Sequence, residues 1–223
     1  MKKLILLLAL VVPLIFAPAA GANLILNGNF ESGIAPGVFT TIYAVDSTSI
    51  TDWTVTDGSV DYIGSYWTPP AGLPPGSHSL DMNGNSQGSI AQAFNTTYGQ
   101  KYIVTFDLAG NFDGLPNPKT LTVSVAVGGA PQTFSFSEPA NWSYTNMGWT
   151  PEDFIFTAIS SSTTLTFTGD PTYLPGWGLP TTPYGPTLAN VTVNAVPLPP
   201  SMLLLGSGLA GLGLLRRRKI FKA

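Results

Sequence analysis

The segment Tyr102-Ile-Val-Thr-Phe-Asp-Leu-Ala109 decides the fold class, because large apolar side chains occupy every second position along it. Tyr102, Val104, Phe106 and Leu108 would share one face of a strand, since successive side chains in a strand point to opposite faces. The intervening residues would then face water. This pattern predicts a strand with one buried face, as found in antiparallel sheets.

The same period of two recurs elsewhere in residues 23–195, between clusters of Gly, Pro, Asn and Asp. The alternating positions are Leu121, Val123, Val125 and Val127; Phe134 and Phe136; Phe154 and Phe156; Leu165 and Phe167; and Val191 and Val193. No stretch has a convincing amphipathic helical pattern. Eight to ten such strands predict an all-β domain, an antiparallel β-sandwich.

Two loops are rich in Pro and Gly, at residues 68–76 and 170–186. Neither is expected to be a central strand, because Pro cannot donate to a strand ladder. Long loops at one end of a sandwich often carry the binding site.

The basic residues concentrate at the two ends of the chain, which leaves residues 23–195 strongly acidic. With all twelve acidic residues but only Lys101 and Lys119, this part has a net charge of about −10. Nucleic acid is therefore not an expected partner, because its binding needs a basic surface. The chain has no cysteine, which excludes disulfides, thiolate metal sites and a cysteine nucleophile.

Residues 1–22 have the three parts of a secretory signal peptide. Lys2 and Lys3 form the positive region, residues 4–16 are apolar, and Ala20-Gly-Ala22 is a small-residue cleavage site. We predict cleavage after Ala22; the alternative is an uncleaved N-terminal anchor.

The C-terminal segment 196–223 combines three elements in order. Val196, Pro197, Leu198, Pro199 and Pro200 form an extended linker, since proline disfavours helix before it. Residues 201–215 are apolar and uncharged, and we expect them to form a short, glycine-rich transmembrane helix of about 23 Å, less than the ~30 Å of a bilayer core. The basic cluster 216–219 (Arg216, Arg217, Arg218 and Lys219) would stay cytoplasmic by the positive-inside rule.

This tail resembles the PEP-CTERM sorting signal of Gram-negative bacteria, in its Val-Pro-Leu-Pro variant, because Leu198 stands where the commonest form has Glu. The resemblance implies transient residence in the inner membrane and recognition by an exosortase, a membrane-bound processing enzyme. Cleavage near residues 196–200 would release the protein to the cell surface or polysaccharide matrix. The alternative is an ordinary short C-terminal anchor.

Residues 23–195 also carry a series of motifs in a defined order. They are Asn23-Leu-Ile-Leu-Asn-Gly-Asn-Phe-Glu-Ser-Gly33, Ser77-His-Ser-Leu-Asp-Met-Asn-Gly84, Gly88-Ser-Ile-Ala-Gln-Ala-Phe94, the segment 99–111, and Tyr184-Gly-Pro-Thr-Leu-Ala-Asn-Val-Thr-Val193. This order resembles the exported choice-of-anchor C proteins, related to the DUF642 type, with a galactose-binding-like jelly roll. The resemblance implies carbohydrate binding.

In galactose-binding-like modules, a structural calcium often joins the Glu of the opening motif to an Asp that begins the last strand. Glu31 matches the first ligand, but Ala189 occupies the second position. Asn190 and backbone carbonyls would have to complete the site, since calcium takes six to eight oxygen ligands. Either Glu31 and Asn190 hold a structural calcium, or Glu31 hydrogen-bonds to neighbouring backbone.

Trp67 and Trp177 are the candidate ligand-binding residues, because each lies in or beside a Pro-rich loop where an exposed rim is expected. An aromatic face can stack on the C–H surface of a sugar; the alternative is that tryptophan fills the core. Catalytic motifs are scarce, since His78 is the single histidine and no Gly-x-Ser-x-Gly or HExxH motif occurs.

We therefore expect a non-catalytic surface or matrix protein that binds polysaccharide. The alternatives are a structural or adhesive protein that binds proteins or itself, and, third, a glycoside hydrolase.

Overall fold

The computed structural model describes residues 22–114, 118–126, 129–171 and 183–197. Ala22–Val196 forms one compact unit; the other unit, Met1–Gly21 with Pro197–Ala223, lies outside the described residues except for Pro197. The predicted signal peptide up to Gly21, and the predicted membrane helix and basic cluster, therefore lie outside the described part. Within the part described, no helix has the length and apolar character to cross a bilayer.

Eleven strands and no helix are found among the described residues. The strands are β1 (Phe39–Tyr43), β2 (Thr54–Asp57), β3 (Ser59–Ile63), β4 (Ser79–Asp81), β5 (Ser89–Asn95), β6 (Lys101–Gly110), β7 (Lys119–Val125), β8 (Gln132–Phe136), β9 (Thr150–Thr157), β10 (Ser162–Thr168) and β11 (Pro186–Ala195).

The strands form two antiparallel sheets, one of six strands in the order β1-β3-β4-β11-β6-β9 and one of five in the order β2-β5-β10-β7-β8. The predicted antiparallel β-sandwich is thus confirmed. The alternation along β6 determines which face packs inward, since Tyr102, Val104, Phe106 and Leu108 are all buried in the core. The largest wholly buried side chains include Trp53, Tyr62, Phe30 and Phe106.

Residues 68–76 form a loop, as predicted. The second loop ends earlier than expected, because Pro186 begins β11, a central strand between β4 and β6. A proline is tolerated at the first residue of a strand, where its missing N–H breaks no ladder bond.

The opening motif at residues 23–33 packs across β11 rather than forming a strand of its own. Asn23 Oδ1 accepts the N–H groups of Ile25 and Val193, at 3.1 and 2.9 Å. Val191 N–H donates to the Gly28 carbonyl at 2.9 Å. The motif therefore attaches the start of the domain to its last strand.

Candidate ligand-binding cleft

A row of four polar side chains crosses the outer face of the six-stranded sheet. Thr41 lies opposite Asp61, Asp61 opposite Asp81, and Asp81 opposite Thr187, each pair on two neighbouring strands. Neighbouring residues such as Tyr62 and Leu80 face the core, so the strand alternation directs this row outward.

Above this row lies a cleft of about 230 Å³, which we call the outer-face cleft. It is lined by Phe39, Thr41, Asp61, Ile63, Tyr66, Trp67, Asp81, Gly84, Asn85, Asn111, Asp113, Pro183 and Tyr184. Aromatic rings, carboxylates and amides thus surround one open cavity. The lining is polar and apolar in about equal measure, unlike the mostly apolar pockets that take drug-sized ligands.

Phe39 and Tyr66 line the cleft, and together with Tyr144, which packs beside Tyr66, they form an aromatic wall. The ring centroid of Tyr66 lies 5.5 Å from that of Phe39 and 5.2 Å from that of Tyr144, both in edge-to-face contact. Phe39 and Tyr144 are exposed, with 46% and 43% of their surface accessible. The wall therefore presents aromatic surface to solvent, which large hydrophobic side chains usually avoid.

Asp113 holds the aromatic wall in place. The hydroxyls of Tyr66 and Tyr144 donate to its two carboxylate oxygens, at 2.8 and 3.0 Å. The hydrogen bonds to Tyr144 and Asp113 raise the pKa of Tyr66 well above its ordinary value. The Tyr66 phenol is thus a neutral donor at physiological pH.

Asp61 lies in the row beneath the cleft and is partly buried. Its Oδ1 accepts the Thr41 hydroxyl at 2.5 Å. Burial raises the pKa of Asp61, and the hydrogen bond from Thr41 opposes that shift. Gly84 lies close by, since a Cβ added there would come 3.1 Å from Asp61 Oδ1. The small residue leaves the space beside this carboxylate to the cleft.

Asp81 is wholly buried beneath the cleft and organises its floor. Its Oδ1 accepts the backbone N–H groups of Asn83 and Gly185, at 2.9 and 3.0 Å, and its Oδ2 accepts Asn111 Nδ2 at 2.7 Å. Burial raises the pKa of Asp81 to about 8, against the lowering effect of these hydrogen bonds. A general acid must reach the leaving-group oxygen, and a buried carboxyl with both oxygens engaged does not. Asp81 therefore positions the cleft-lining loops.

Lys119 is buried under the same loops and does not face the cleft. Its Nζ donates to the carbonyls of Gly114 and Tyr184, the latter at 2.8 Å. Burial lowers the pKa of Lys119 to about 8, opposed by the nearby carboxylates of Asp81 and Asp170. This lysine thus links the loop after β6 to the loop before β11.

The cleft is also lined by two amide side chains, of which Asn85 is exposed and Asn111 is buried. Asn85 projects from the turn after β4, and its Nδ2 donates to the Tyr43 hydroxyl at 2.5 Å. Asn111, at the end of β6, donates to Asp81 and accepts the Asp113 N–H at 2.9 Å. Carboxylate and amide groups therefore line the same cleft as the aromatic rings.

Trp67 lines the cleft, but the expectation that it lies at an exposed rim is wrong. It is only 4% accessible, and its Nε1 donates to the buried Ser79 Oγ at 2.9 Å. Its ring packs against Tyr66 at 5.4 Å. The ring is thus part of the protein interior, and Trp67 supports the wall from within. The other candidate, Trp177, lies outside the described residues.

Glu31 and Asn190 are placed in different surroundings. Asn190 adopts a left-handed backbone (φ 53°) at the bulge in β11, and its Nδ2 donates to Asp107 Oδ2 at 2.9 Å. Glu31 is exposed, and its charge acts on Tyr62 and His78. No cluster of three or more His, Cys, Asp or Glu suited to a metal occurs in the described part of the chain. The calcium site stays a prediction.

His78 has a structural environment, immediately before β4. Its backbone N–H donates to the Asn29 carbonyl at 2.9 Å, and its ring makes an edge contact with Tyr62 at 5.3 Å. Burial lowers its pKa, partly offset by the charge of Glu31. No carboxylate and hydroxyl are arranged around it as in a catalytic triad within the contacts described.

Sequence reasoning missed most of the cleft. Phe39, Tyr66, Asp61, Asn85 and Asp113 come from four separate parts of the chain and join only in the folded sheet. One signal was available, since Asp61 and Asp81 each occupy an outward position of a short strand beside apolar core residues.

At the tail, Val196, which follows β11, is still hydrogen-bonded to the domain. Its N–H donates to the Lys101 carbonyl at 2.9 Å, and its carbonyl accepts Gln100 Nε2 at 2.7 Å. The predicted sorting residues Leu198, Pro199 and Arg216–Arg218 lie outside the described residues, as does Ala20 of the predicted cleavage site.

Comparison with known families gives a match across nearly all of this domain. The family described as "Protein of unknown function (DUF642)" matches residues 23–194. The chain belongs to this DUF642 family. The predicted relation to the DUF642 type is thereby confirmed.

Among curated proteins, halomucin of Haloquadratum walsbyi is 34% identical over 153 residues, which cover 66% of this chain and 2% of halomucin. The chain thus spans a very small part of that relative.

Several solved carbohydrate-binding modules have a similar sandwich at low similarity. CBM35 from Paenibacillus barcinonensis is 21% identical, with a TM-score of 0.43, covering 70% of this chain and 99% of the module. CBM4 is 14% identical, with a TM-score of 0.42, and the match covers 77% of this chain and 99% of the module. TmCBM61, solved with β-1,4-galactotriose, is 12% identical, with a TM-score of 0.40. The match covers 78% of this chain and 99% of the module.

Proposed function

We propose that the DUF642 domain binds a glycan in the outer-face cleft without catalysing its cleavage. The observation that carries this proposal is that an exposed aromatic wall and carboxylate and amide groups line one open cleft. A sugar ring has a C–H face that packs on aromatic rings and a rim of hydroxyls that need hydrogen-bond partners. The cleft offers both kinds of surface at once.

The chemistry of the cleft favours holding a glycan over hydrolysing it. Hydrolysis requires two carboxyl groups that reach the scissile bond, one as acid and one as base or nucleophile. Asp81 is buried and fully engaged, and both oxygens of Asp113 accept phenol hydroxyls. Asp61 has one oxygen, Oδ2, without a hydrogen bond among the described contacts, and this oxygen suits a contact with a sugar hydroxyl.

A binding experiment on the purified domain tests the proposal. Residues 22–197 contain their own core and can be titrated by calorimetry against a panel of soluble oligosaccharides. We expect Phe39→Ala and Tyr66→Ala to weaken the binding of the best ligand by about tenfold or more, since stacking surface is lost. Tyr98→Ala is the matched control, because Tyr98 is 76% exposed and does not line the cleft.

Failure to bind any glycan in a broad panel would contradict the proposal. Tight binding that is weakened by none of the three variants, Phe39→Ala, Tyr66→Ala and Tyr98→Ala, would also contradict it. Release of reducing sugar by the purified domain would instead support the hydrolase alternative.

Self-association is a second candidate function, favoured by the apolar surface beside the edge strand β1. Val38, Tyr43 and Val45 are exposed there, Val45 to 84%. An edge strand with apolar neighbours can pair with another copy of the same strand. Sedimentation over a range of protein concentrations would show a dimer that Val45→Lys disrupts; a monomer at all concentrations would exclude this candidate.

We also propose that the chain is exported and processed at both ends before it reaches the cell surface. The support is the sequence of the segments at residues 1–22 and 196–223, which have the features of a signal peptide and a PEP-CTERM-like tail. In a bacterium with an exosortase, mass spectrometry should give a mature protein that begins at Asn23 and ends near residues 196–200. Recovery of an unprocessed C-terminus from that host would overturn the processing step. An exosortase deletion strain is the control, in which the unprocessed C-terminus is expected.

A further inference from the structure

We infer that the outer-face cleft selects uncharged glycans and excludes acidic ones such as uronates and sulfated sugars. This inference rests on the proposed function, and it names the ligand class by charge. It follows from the cations, acceptors and donors that the fold places around the cleft.

The first step concerns cations, which proteins use to bind sugar carboxylates and sulfates. Residues 22–197 contain no arginine and two lysines, Lys101 and Lys119. Arginine is the usual partner of carboxylates because its planar fork donates two parallel hydrogen bonds. The domain has no such group at any position.

Neither lysine reaches the cleft. Lys119 is buried and its ammonium donates to two backbone carbonyls. Lys101 begins β6, opposite Thr157, whereas the cleft takes Asn111 from the other end of that strand. An anionic ligand would therefore find no positive charge in the cleft.

The second step concerns the hydrogen-bond acceptors of the cleft, which include two carboxylates. Asp61 and Asp113 both line the cleft. A sugar carboxylate placed there would meet two like charges, whose repulsion at close range is substantial where water is partly excluded. Sugar hydroxyls, by contrast, can donate to these same oxygens.

The third step concerns the side-chain donors, several of whose N–H and O–H groups are already engaged. The Tyr66 hydroxyl donates to Asp113, Asn111 Nδ2 to Asp81, and Asn85 Nδ2 to Tyr43. A carboxylate or sulfate has only acceptors and would need such donors. The net charge of about −10 on residues 22–197 adds long-range repulsion.

The test compares three forms of one oligosaccharide, namely a neutral glycan that binds the domain, its C6-oxidised carboxylate form, and the methyl ester of that oxidised form. We expect the carboxylate to bind at least about tenfold more weakly than the parent at ~0.02 M salt, and the ester to recover most of that loss. The loss should shrink at ~0.5 M salt, where charges are screened. Measurements in EDTA and in added Ca²⁺ should agree, since no metal bridge is invoked.

Charge-neutral variants test which carboxylates are responsible. Asp61→Asn and Asp113→Asn should each reduce the discrimination against the carboxylate form by about threefold or more. Asp153→Asn is the matched control, because it removes the same charge from an exposed position on β9 that does not line the cleft. Circular dichroism would confirm that each variant is folded.

The outcomes separate this inference from the proposed function. No binding of any glycan form contradicts the proposed function itself. Binding of the parent with equal or tighter binding of the carboxylate form, in EDTA or in Ca²⁺, overturns the charge selection alone. Equal weakening of the carboxylate and its ester also overturns it, because size rather than charge would then be the cause.

Discussion

Trp67 shows how a single side chain can belong to a binding cleft and yet act through packing. Its ring lies beneath Tyr66, and its Nε1–H is satisfied by Ser79 Oγ inside the protein. The exposed contact surface belongs instead to Phe39 and Tyr66. A mutational test of glycan binding should therefore avoid Trp67, since its loss would disturb the wall and the fold together.

Truncation of this buried ring gives the prediction at the residue scale. We expect Trp67→Ala to lower the free energy of unfolding by about 3–5 kcal/mol, because it leaves a cavity and an unpaired Ser79 hydroxyl. Trp67→Phe should cost clearly less. Urea denaturation followed by circular dichroism measures both, with Tyr98→Ala as a surface control expected within about 0.5 kcal/mol of the parent. A Trp67→Ala domain as stable as the control would show that the ring is not part of the core.

At the scale of elements, the opening motif and β11 behave as one unit although they lie at opposite ends of the domain. Leu24 N–H donates to the Val193 carbonyl at 2.8 Å, and Gln92 exchanges two hydrogen bonds with the backbone of Leu26, at 2.8 and 2.9 Å. Asn27 adopts a left-handed backbone and caps the following turn through Ser32 and Thr51. The Asn and Gly residues of this motif thus have conformational and packing roles.

Gly28 gives the prediction at the element scale. A Cβ at this position would lie 1.9 Å from the Val191 carbonyl oxygen, so Gly28→Ala must push the opening segment away from β11. We expect a loss of about 2 kcal/mol or more in the free energy of unfolding. Gly129→Ala is the matched control, because nothing lies within 4 Å of its Cβ position and its backbone is not left-handed. Equal stability of the two variants would contradict the close approach at Gly28.

At the scale of the whole molecule, an acidic domain contains a buried carboxyl and a buried ammonium close to each other. Burial raises the pKa of Asp81 from 3.8 to about 8 and lowers that of Lys119 from 10.5 to about 8. Between about pH 4 and 8 the folded state keeps a proton on Asp81 that the unfolded state releases. Stability therefore falls as the pH rises through this range.

The lysine has the opposite effect above that range. Between about pH 8 and 10.5 the unfolded state holds a proton that folded Lys119 lacks, so stability rises with pH there. We expect the free energy of unfolding to pass through a minimum near pH 8 in denaturation series from pH 5 to 10. Asp81→Asn should flatten the falling limb, leaving the smaller contributions of Asp61 and Glu152, and Lys119→Met should flatten the rising one. A falling limb of unchanged slope in Asp81→Asn would contradict this assignment.

The alternation of side chains predicted the strands β6 to β11 well, because a strand with one buried face imposes a period of two on its own sequence. It did not separate out β1 to β4, which are three to five residues long and too short for a clear period. Val60 and Leu80 face the core from these strands, yet each run has too few alternations to distinguish it from a loop.

The sequence by itself determined the β-sandwich class, the acidic domain without arginine, the absence of disulfides and the family relation. These properties depend on composition and on local order along the chain. Only the tertiary structure decided that Thr41, Asp61, Asp81 and Thr187 form one row, and that Phe39, Tyr66 and Asp113 meet above it. The physical reason is that strand register and sheet order bring distant segments together, and neither is encoded in the spacing of residues along any one strand.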